Sequence, residues 1–526
     1  MISTRISNSR WIGLLAFFTA FTLAAGTADA QSSANSPAPS KQAANAASEN
    51  PHGTGVVPPG VNLAAGQPSA APPKPFHFPE AATKTLPNGL RVFVVTDHSE
   101  PAVAARLMIL SAGAVKDPGD TPGIAKMTAA LLTQGTATRS AQDIAQAIDF
   151  IGGSLDASAD KDFSGVSLTV VKKDLATGLD LMSDVVLHPA FQAEELERQR
   201  QQLLSNLTVQ YSDPDYLASA VFARTLYGGS PYGWPEEGTP AGVKRFDRDS
   251  FAKFHDANYA PNTSLLAFAG DITPEEAFAA AEKYFGAWPK HDISASAPPA
   301  PQAASGIHIW LVDKPDAVQT QIRVGKLGIA RNDPNYIPVV VMNRVFGGGY
   351  NSRLNTEVRV KKGLTYGAYS SFSPHRSTGA FAVSTFTRTA ATVEATRLAV
   401  DLIAQMSKGD ITSKELDFSR DYLSGVYPIQ SETAEQVANR VLNVAAYDLP
   451  ADYNSTYPDK VRAVSLGQAN DMARRYLQPN DLDIVLAGNV SAFRDALKKA
   501  FPDAQYQELP FDQIDLLAGD LRRPKP

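Results

Sequence analysis

Two copies of one short pattern, Pro261-Asn-Thr-Ser-Leu-Leu-Ala-Phe-Ala-Gly-Asp-Ile272 and Pro479-Asn-Asp-Leu-Asp-Ile-Val-Leu-Ala-Gly-Asn-Val490, decide how this chain is organised. Each copy has a Pro-Asn turn, an apolar run that ends in Ala-Gly, and then a helical pattern, at 273–285 and 491–501. Pro479 lies 218 residues after Pro261, and Gly488 lies 218 residues after Gly270. A strand, a turn and a helix that recur at one constant offset indicate an internal duplication.

The duplicated pattern closes two segments of similar length, 76–293 and 306–515, which an Ala-, Ser- and Pro-rich linker at 294–305 joins. Strand-like runs lie at 89–95, 102–111, 306–312 and 319–329, with a hairpin at 365–387. Helical patterns lie at 122–134, 140–151, 171–187, 192–210, 214–226, 248–257, 333–346 and 390–407. The sequence therefore predicts an α+β fold of two tandem α/β-sandwich halves, each an antiparallel sheet with helices on one side.

The residues before the first half have the character of targeting and tether segments. Arg5 and Arg10 flank the start of an apolar stretch at 11–25, and the small-x-small site at 28–30 predicts cleavage of a signal peptide (1–30) near Ala30. The apolar stretch has about 15 residues, fewer than the ~20 that span a bilayer, so we expect no stable membrane insertion. An uncleaved anchor is the alternative. We expect a disordered tether at 31–75, a short tail at 516–526, and a periplasmic or secreted location.

The composition excludes several classes of site. The chain has no Cys, which excludes disulfides, thiol nucleophiles, thiolate zinc sites and iron–sulfur clusters. Lys and Arg number 48 against 54 Asp and Glu, so there is no basic surplus for phosphate contacts and we expect no nucleic-acid partner. Hydrophobic residues make up 44% and charged residues 19%, the balance of a soluble protein with a large core.

One stretch in the first half resembles a metallopeptidase signature. Gly123-Ile-Ala-Lys-Met-Thr-Ala-Ala-Leu-Leu-Thr-Gln-Gly-Thr136 is similar to the G-x-A-H-x-x-E-H pattern, with its later G-T, of the pitrilysin/insulinase (inverzincin) zinc peptidases. Further matches lie at 86–89, 111–113, 186–191 and 347–354, so the resemblance covers both halves. It implies a half-clamshell like that of the mitochondrial processing peptidase.

The resemblance also implies that this chain lacks the family's zinc chemistry. In the family, two histidines on one helix face ligate zinc and a glutamate is the general base; here those positions are Lys126, Ala129 and Ala130. The third ligand position, a glutamate in the family, falls on Asn206. A protonated Lys has no lone pair, and a methyl group can neither ligate zinc nor take a proton. We therefore expect no catalytic residue, metal or cofactor in this chain, and no peptidase activity from it alone.

Histidines elsewhere in the sequence offer no replacement motif. The chain has eight, and the two nearest in sequence, His291 and His308, are 17 residues apart. No His-x-x-x-His pair on one helix face is therefore available in either half.

The second half keeps the family's substrate-binding pair. Arg359 and Tyr366, seven residues apart, resemble the arginine and tyrosine of the family's second domain. From the residues alone, Asn351 or Ser352 caps a helix that carries Arg359 in its last turn and ends at Gly363, after which Tyr366 opens a strand. The structural alternative is an arginine that suits the helix dipole and a tyrosine in the core.

The triplet Gly347-Gly348-Gly349 allows two interpretations. It is a mobile peptide-contacting loop, as the family has in its non-catalytic processing subunits, or a flexible turn that uses the conformational freedom of glycine. It is not a phosphate loop, because no Gly-Lys-Ser/Thr follows it.

These features predict the non-catalytic, substrate-binding subunit of a heteromeric zinc metallopeptidase that cleaves peptides. The resemblance implies a homologous partner with an intact H-x-x-E-H motif and its zinc, to whose site this chain supplies Arg359 and Tyr366. Two alternatives remain: a stand-alone pseudoenzyme that binds peptides or scaffolds an envelope complex, and a purely structural subunit such as those in respiratory complexes.

Overall fold

The computed structural model describes residues 76–524, which belong to one compact unit. The predicted signal peptide and tether lie outside the described residues. The strands are β1 Ala82–Thr85, β2 Arg91–Thr96, β3 Ala102–Ile109, β4 Ser154–Ala159, β5 Ser164–Val171, β6 Ser264–Gly270, β7 Ile307–Asp313, β8 Gln319–Leu327, β9 Ala368–Ser373, β10 Ala380–Arg388, β11 Leu482–Gly488 and β12 Gln505–Pro510.

Helices occupy most of the chain between these strands. They are α1 Ile124–Leu132, α2 Ala141–Phe150, α3 Leu175–Leu187, α4 Ala193–Gln210, α5 Pro214–Tyr227, α6 Pro240–Val243, α7 Arg248–Asn258, α8 Pro274–Phe285, α9 Tyr336–Phe346, α10 Arg353–Asn355, α11 Thr392–Met406, α12 Ser413–Ile429, α13 Ala434–Ala446, α14 Tyr453–Ala463, α15 Leu466–Tyr476 and α16 Arg494–Ala500. A π-helical turn at Thr356–Lys361 continues α10. Within 76–524, no helix has the length and apolar character needed to cross a bilayer.

The two sheets repeat one strand order. The first runs β1-β2-β6-β3-β5-β4 and the second β12-β7-β11-β8-β10-β9. In spatial order, β2-β6-β3-β5-β4 of the first sheet therefore match β7-β11-β8-β10-β9 of the second. The repeated sequence pattern supplies β6 and β11, which are buried on both faces as their continuous apolar runs require. In the first copy the turn after β6 leads to α8, where Thr273 and Glu276 form a capping box and Pro274 takes the first position. The predicted pair of homologous α+β halves is confirmed.

The sheets are mixed, whereas the sequence predicted antiparallel pairing throughout. β6 is parallel to β2 and antiparallel to β3, and β11 is parallel to β7 and antiparallel to β8. Because β2 and β3 run in opposite directions, a strand inserted between them must be parallel to one of them. The long helical excursion before β6 and before β11 makes this late insertion possible.

Each sheet has helices on both faces, and one of those helices comes from the other half. α5 of the first half packs on β11 and β8 of the second sheet, where Leu217 and Val221 meet Val485 and Ala487. α13 of the second half packs on β6 and β3 of the first sheet in the same way. The remaining helices of each half cover the opposite face. The prediction of helices on one side of the sheet therefore holds for the helices that a half supplies to its own sheet, and the helix on the other side comes from the other half.

A buried arginine on a central strand anchors each exchanged helix. Arg323 on β8 lies 2.6 Å from the Asp215 carboxylate in the first turn of α5. Arg106 on β3 lies 3.0 Å from the Glu435 carboxylate in the first turn of α13. In both pairs the arginine is buried and the acid is partly exposed, and an anion at a helix N-terminus also suits the helix dipole.

Part of the predicted tail is packed into the fold. Leu516 and Leu521 are buried with α5 against the second sheet, and Ile514 forms a bridge with Arg522. Their apolar side chains fill the space at the sheet edge beside β12, which is why the segment after 515 folds back.

Candidate functional site

The helix that corresponds to the zinc-binding helix of the family is α1, and its first turn is rigidly held. The Asp117 carboxylate accepts hydrogen bonds from the N–H groups of Gly123 and Ala125, both at 2.7 Å. Gly123 has φ +99°, and a Cβ there would lie 2.8 Å from the backbone nitrogen of Gly238. Burial raises the pKa of Asp117 to about 7, although both N–H groups favour its ionised form.

The three positions of the zinc motif on α1 face different surroundings. Lys126 donates a hydrogen bond of 2.7 Å to Glu237 and lies 3.9 Å from Glu236. Ala129 is 0% exposed and belongs to the first hydrophobic core, and Ala130 is half-buried. An ammonium group and two methyl groups therefore stand where the family has its metal ligands and its base.

The acidic residues around Lys126 come from a loop more than a hundred residues further along the chain, and no local sequence pattern indicates them. Burial raises the pKa of Glu236; burial also opposes ionisation of Glu237, but the hydrogen bond and charge of Lys126 outweigh it and lower its pKa. Lys161, whose pKa burial lowers, lies 3.9 Å from Glu236. Lys126, Lys161, Glu236 and Glu237 are two ammonium groups and two carboxyl groups in close pairs, and the Asp117 carboxyl group also interacts with Lys161.

Asn206 does not join this cluster through a hydrogen bond. It lies on α4, which packs beside α1, but its side chain is exposed and accepts a hydrogen bond of 3.0 Å from Gln202 on the same helix. Among residues 76–524, no group of three or more His, Asp or Glu side chains is arranged to hold a metal ion. The donor set at the family's zinc position does not fit zinc, because it consists of a paired ammonium, two methyl groups and a remote amide.

Arg359 and Tyr366 lie on either side of a loop that is fixed to the second sheet. Ser352 caps α10, as predicted, and Arg359 lies in the π-helical turn with its guanidinium 4.9 Å from the ring centre of Tyr350. Tyr366 is 80% exposed and lies in a bend two residues before β9, whereas the sequence predicted that it opens the strand. The chain turns at Gly363, φ +59°, which delays the start of the strand.

Hydrogen bonds hold the loop that presents Tyr366. The hydroxyl group of Thr387 on β10 donates to the carbonyl of Leu364 at 2.7 Å, and that of Thr385 donates to the carbonyl of Gly367 at 2.9 Å. Leu364 is itself buried in the second core. The phenol of Tyr366 therefore projects from a fixed backbone, and no intramolecular hydrogen bond joins it to Arg359 within the described residues. A guanidinium and a hydroxyl of this kind are both hydrogen-bond donors.

The glycine triplet follows α9 and packs against β9. The carbonyl of Gly347 accepts from the N–H of Ser370 at 2.9 Å, and a Cβ at Gly347 would lie 2.3 Å from the Ser370 hydroxyl. A Cβ at Gly349 would lie 1.1 Å from Nη1 of Arg344. Neither glycine has positive φ. Close approach to the backbone nitrogen of Ser370 requires glycine at 347, whereas at 349 a side chain would only displace the Arg344 guanidinium.

Comparison with known proteins identifies relatives along most of the described chain. Residues 91–235 match the model of insulinase (peptidase family M16), and residues 245–423 match that of the peptidase M16 inactive domain. An uncharacterized zinc protease of Mycobacterium leprae is 30% identical over 344 residues, 65% of this chain and 77% of that protein. The non-peptidase homolog YmxG of Helicobacter pylori is 24% identical over 400 residues, 75% of this chain and 90% of that protein.

Solved structures share the fold. The peptidase M16 inactive domain from Pseudomonas fluorescens superposes with a TM-score of 0.74 at 29% identity, covering 78% of this chain and 98% of that one. A protease from Helicobacter pylori has a TM-score of 0.72 at 19% identity, covering 78% of this chain and 99% of that one, and it shows the likeness of fold alone. The predicted family resemblance is confirmed: the chain belongs to the insulinase family of peptidases, family M16, and includes a match to its inactive domain.

Proposed function

We propose that this chain is the non-catalytic, substrate-binding subunit of a heteromeric zinc metallopeptidase that cleaves peptides. One observation carries the proposal: at the family's zinc position the ammonium group of Lys126 is paired with Glu237, while Arg359 and Tyr366 in the second half are left without intramolecular ion-pair or hydrogen-bond partners among the described residues. The catalytic zinc belongs to a homologous partner subunit with an intact H-x-x-E-H motif, in a heterodimer or a multiple of it.

Arg359 and Tyr366 act on peptide held between the two subunits. Cleavage of a peptide bond develops negative charge on the carbonyl oxygen, and hydrogen-bond donors placed at that oxygen stabilise the transition state. The guanidinium of Arg359 is always charged, and its position over the Tyr350 ring limits its motion. The Tyr366 hydroxyl supplies one directional donor from the fixed loop. We also propose that the complex works in the periplasm or outside the cell.

The second candidate is a stand-alone protein that binds peptides without supporting cleavage. The same exposed surface around Tyr366 favours it, since peptide binding needs those side chains whether or not a catalytic partner is present. Co-expression with an H-x-x-E-H homologue separates the two candidates: a stoichiometric complex that cleaves peptide supports the subunit, whereas a chain that ignores every such homologue supports the stand-alone binder.

Removal of the Tyr366 hydroxyl tests its role in the assembled complex. Tyr366→Phe should lower turnover by roughly a hundredfold, the usual effect of removing one such donor, while zinc content and assembly stay unchanged. Tyr284→Phe removes a tyrosine hydroxyl on α8 of the first half, one that donates to the carbonyl of Ala176, and as the control it should keep wild-type turnover. Wild-type turnover of Tyr366→Phe and Arg359→Gln in a fully assembled complex would show that neither group acts in cleavage.

A further inference from the structure

We propose that a pocket between the C-terminal end of α9, the turn at 351–352 and α12 binds a carboxylate group of a peptide. The pocket has a volume of about 290 Å³, and Arg344, Asn351, Ser352, Lys414 and Phe418 contribute to its lining. It is separate from Arg359 and Tyr366, neither of which lines it. The inference rests on the proposed function in one respect, namely that the ligand carrying the carboxylate is a peptide.

The guanidinium of Arg344 is fixed in place before any ligand arrives. It lies 3.8 Å from the ring centre of Tyr422 on α12, and its Nη1 donates a hydrogen bond of 2.7 Å to the carbonyl of Gly348. The absence of a side chain at Gly349 makes room for the same Nη1 atom. An aromatic ring and a loop therefore hold the cation, which reduces the ordering cost of binding an anion.

Part of this guanidinium lacks a partner. Nε of Arg344 is buried and makes no hydrogen bond in the described part of the chain. No carboxylate of residues 76–524 lies within ion-pair distance of Arg344 or of Lys414, whose side chain is exposed on the first turn of α12. Buried donors usually have acceptors, and arginine typically takes them from a planar carboxylate.

Among the residues that the structure describes, one acidic residue lines the pocket, and it is already ion-paired. Glu415 receives hydrogen bonds of 2.6 and 2.8 Å from Arg353, which also pairs with Asp410. Burial opposes its ionisation, but the bonds from Arg353 reverse this and lower the pKa of Glu415 to about 2. Because Arg353 is shared between Glu415 and Asp410, the three cations Arg344, Arg353 and Lys414 face two carboxylates. One positive charge remains for a ligand, on a chain whose net charge is −6.

Apolar groups beside the cations favour a peptide over a small inorganic anion. Phe418 forms one wall of the pocket and is about half exposed, and Tyr350, Tyr369 and Tyr422 are exposed on the same half. Tyr350 directly follows the glycine loop. Tyr369 is next to Ser370, whose N–H donates a hydrogen bond to the carbonyl of Gly347 in that loop. A carboxylate attached to a chain with large apolar side chains satisfies both kinds of surface, whereas phosphate satisfies only the cations.

Peptide binding to the full chain tests the pocket. Three fluorescent probes share the sequence Ala-Phe-X-Leu-Ala: an amidated peptide with Glu at X, an amidated peptide with Gln at X, and the Gln peptide with a free C-terminus. We expect the Glu probe to bind about tenfold more tightly than the amidated Gln probe, the usual worth of a charge-assisted hydrogen-bond pair. A preference for the free C-terminus instead would identify that carboxylate as the ligand.

Substitutions locate the effect. Arg344→Gln should remove the preference for the carboxylate and leave affinity for the neutral probe unchanged. Lys414 makes no side-chain hydrogen bond or ion pair within 76–524, so Lys414→Gln should leave the fold intact and reduce the preference about threefold. Arg388→Gln, at the exposed end of β10, removes a charge elsewhere and should keep the preference. Denaturant unfolding of each variant checks that Arg344→Gln leaves the fold intact.

The possible failures are distinguishable. Equal affinity of the wild-type chain for the charged and neutral probes overturns the carboxylate pocket and leaves the proposed function standing. A preference that survives in both Arg344→Gln and Lys414→Gln also overturns it. Failure of every probe, and of longer peptides, to bind the chain or its complex overturns the proposed function as well.

Discussion

Replacing Ala129 by Glu restores the side chain of the family's general base at a position that is fully buried in this chain. Ala129 lies on α1 with 0% exposure, packed in the first core with residues such as Ala125 and Leu132. Lys126, one turn earlier, is already hydrogen-bonded to Glu237. A carboxylate at 129 therefore enters an apolar site, and the ammonium group one turn earlier is already paired, so we expect the carboxyl group to be protonated in the folded state.

The cost follows from the unfolded-state pKa of about 4.3 for Glu. Keeping the group neutral at pH 7 costs about 4 kcal/mol, since each pH unit above that pKa costs about 1.4 kcal/mol. Overpacking adds about 1–3 kcal/mol. Ala129→Gln shares the overpacking and the burial of a polar group of the same size, but it has no acid that must be kept protonated. Because the folded-state pKa is raised, the difference between the two variants should be small near pH 4 and should grow as pH rises toward 7.

Urea unfolding of Ala129→Glu and Ala129→Gln, followed by circular dichroism at pH 4.5, 5.5 and 7, measures this difference. We expect similar midpoints at pH 4.5 and a clearly lower midpoint for the Glu variant at pH 7. Equal midpoints at pH 7 would mean that the carboxylate reaches water or a cation, and the inference that the base position has become part of the core would be wrong.

Three further predictions concern stability. Asp215→Ala, which leaves the buried Arg323 guanidinium without its anion, should cost about 2–3 kcal/mol in urea unfolding, whereas Arg323→Met, which leaves a mostly exposed acid, should cost less; the reverse order would contradict the pairing. Because the folded-state pKa of Asp117 is raised to about 7, the wild-type chain should lose stability between about pH 4 and 7, and Asp117→Asn should show a flatter Tm profile over that range; identical profiles would exclude this carboxyl as the cause. Gly347→Ala should lower Tm by several degrees, because its Cβ would lie 2.7 Å from the backbone nitrogen of Ser370. An unchanged Tm would mean that the loop moves freely away from β9.

The sequence revealed elements with a strong local signal. The helical pattern at 192–210 became α4 at Ala193–Gln210, and the pattern at 214–226 became α5, whose start Asp213 and Pro214 mark chemically. β4 and β5 were missed, because β4 has few large apolar residues and the two strands together lie between two clear helices. The alternation in Ser164–Val171, buried at every second residue, was the signal that could have found β5.

Sequence alone determined what the family's zinc positions can do chemically, and tertiary structure decided what surrounds them. The loss of ligands at Lys126, Ala129 and Ala130 follows from side-chain chemistry. Three features depend on residues or elements that local sequence patterns do not connect. They are the pairing of Glu237 with Lys126, the contacts of Tyr422 and Gly348 with Arg344, and the packing of α5 and α13 on the sheet of the other half. Local patterns record which face of an element is apolar; they do not record which distant surface covers it, because that choice is made by packing among all the elements at once.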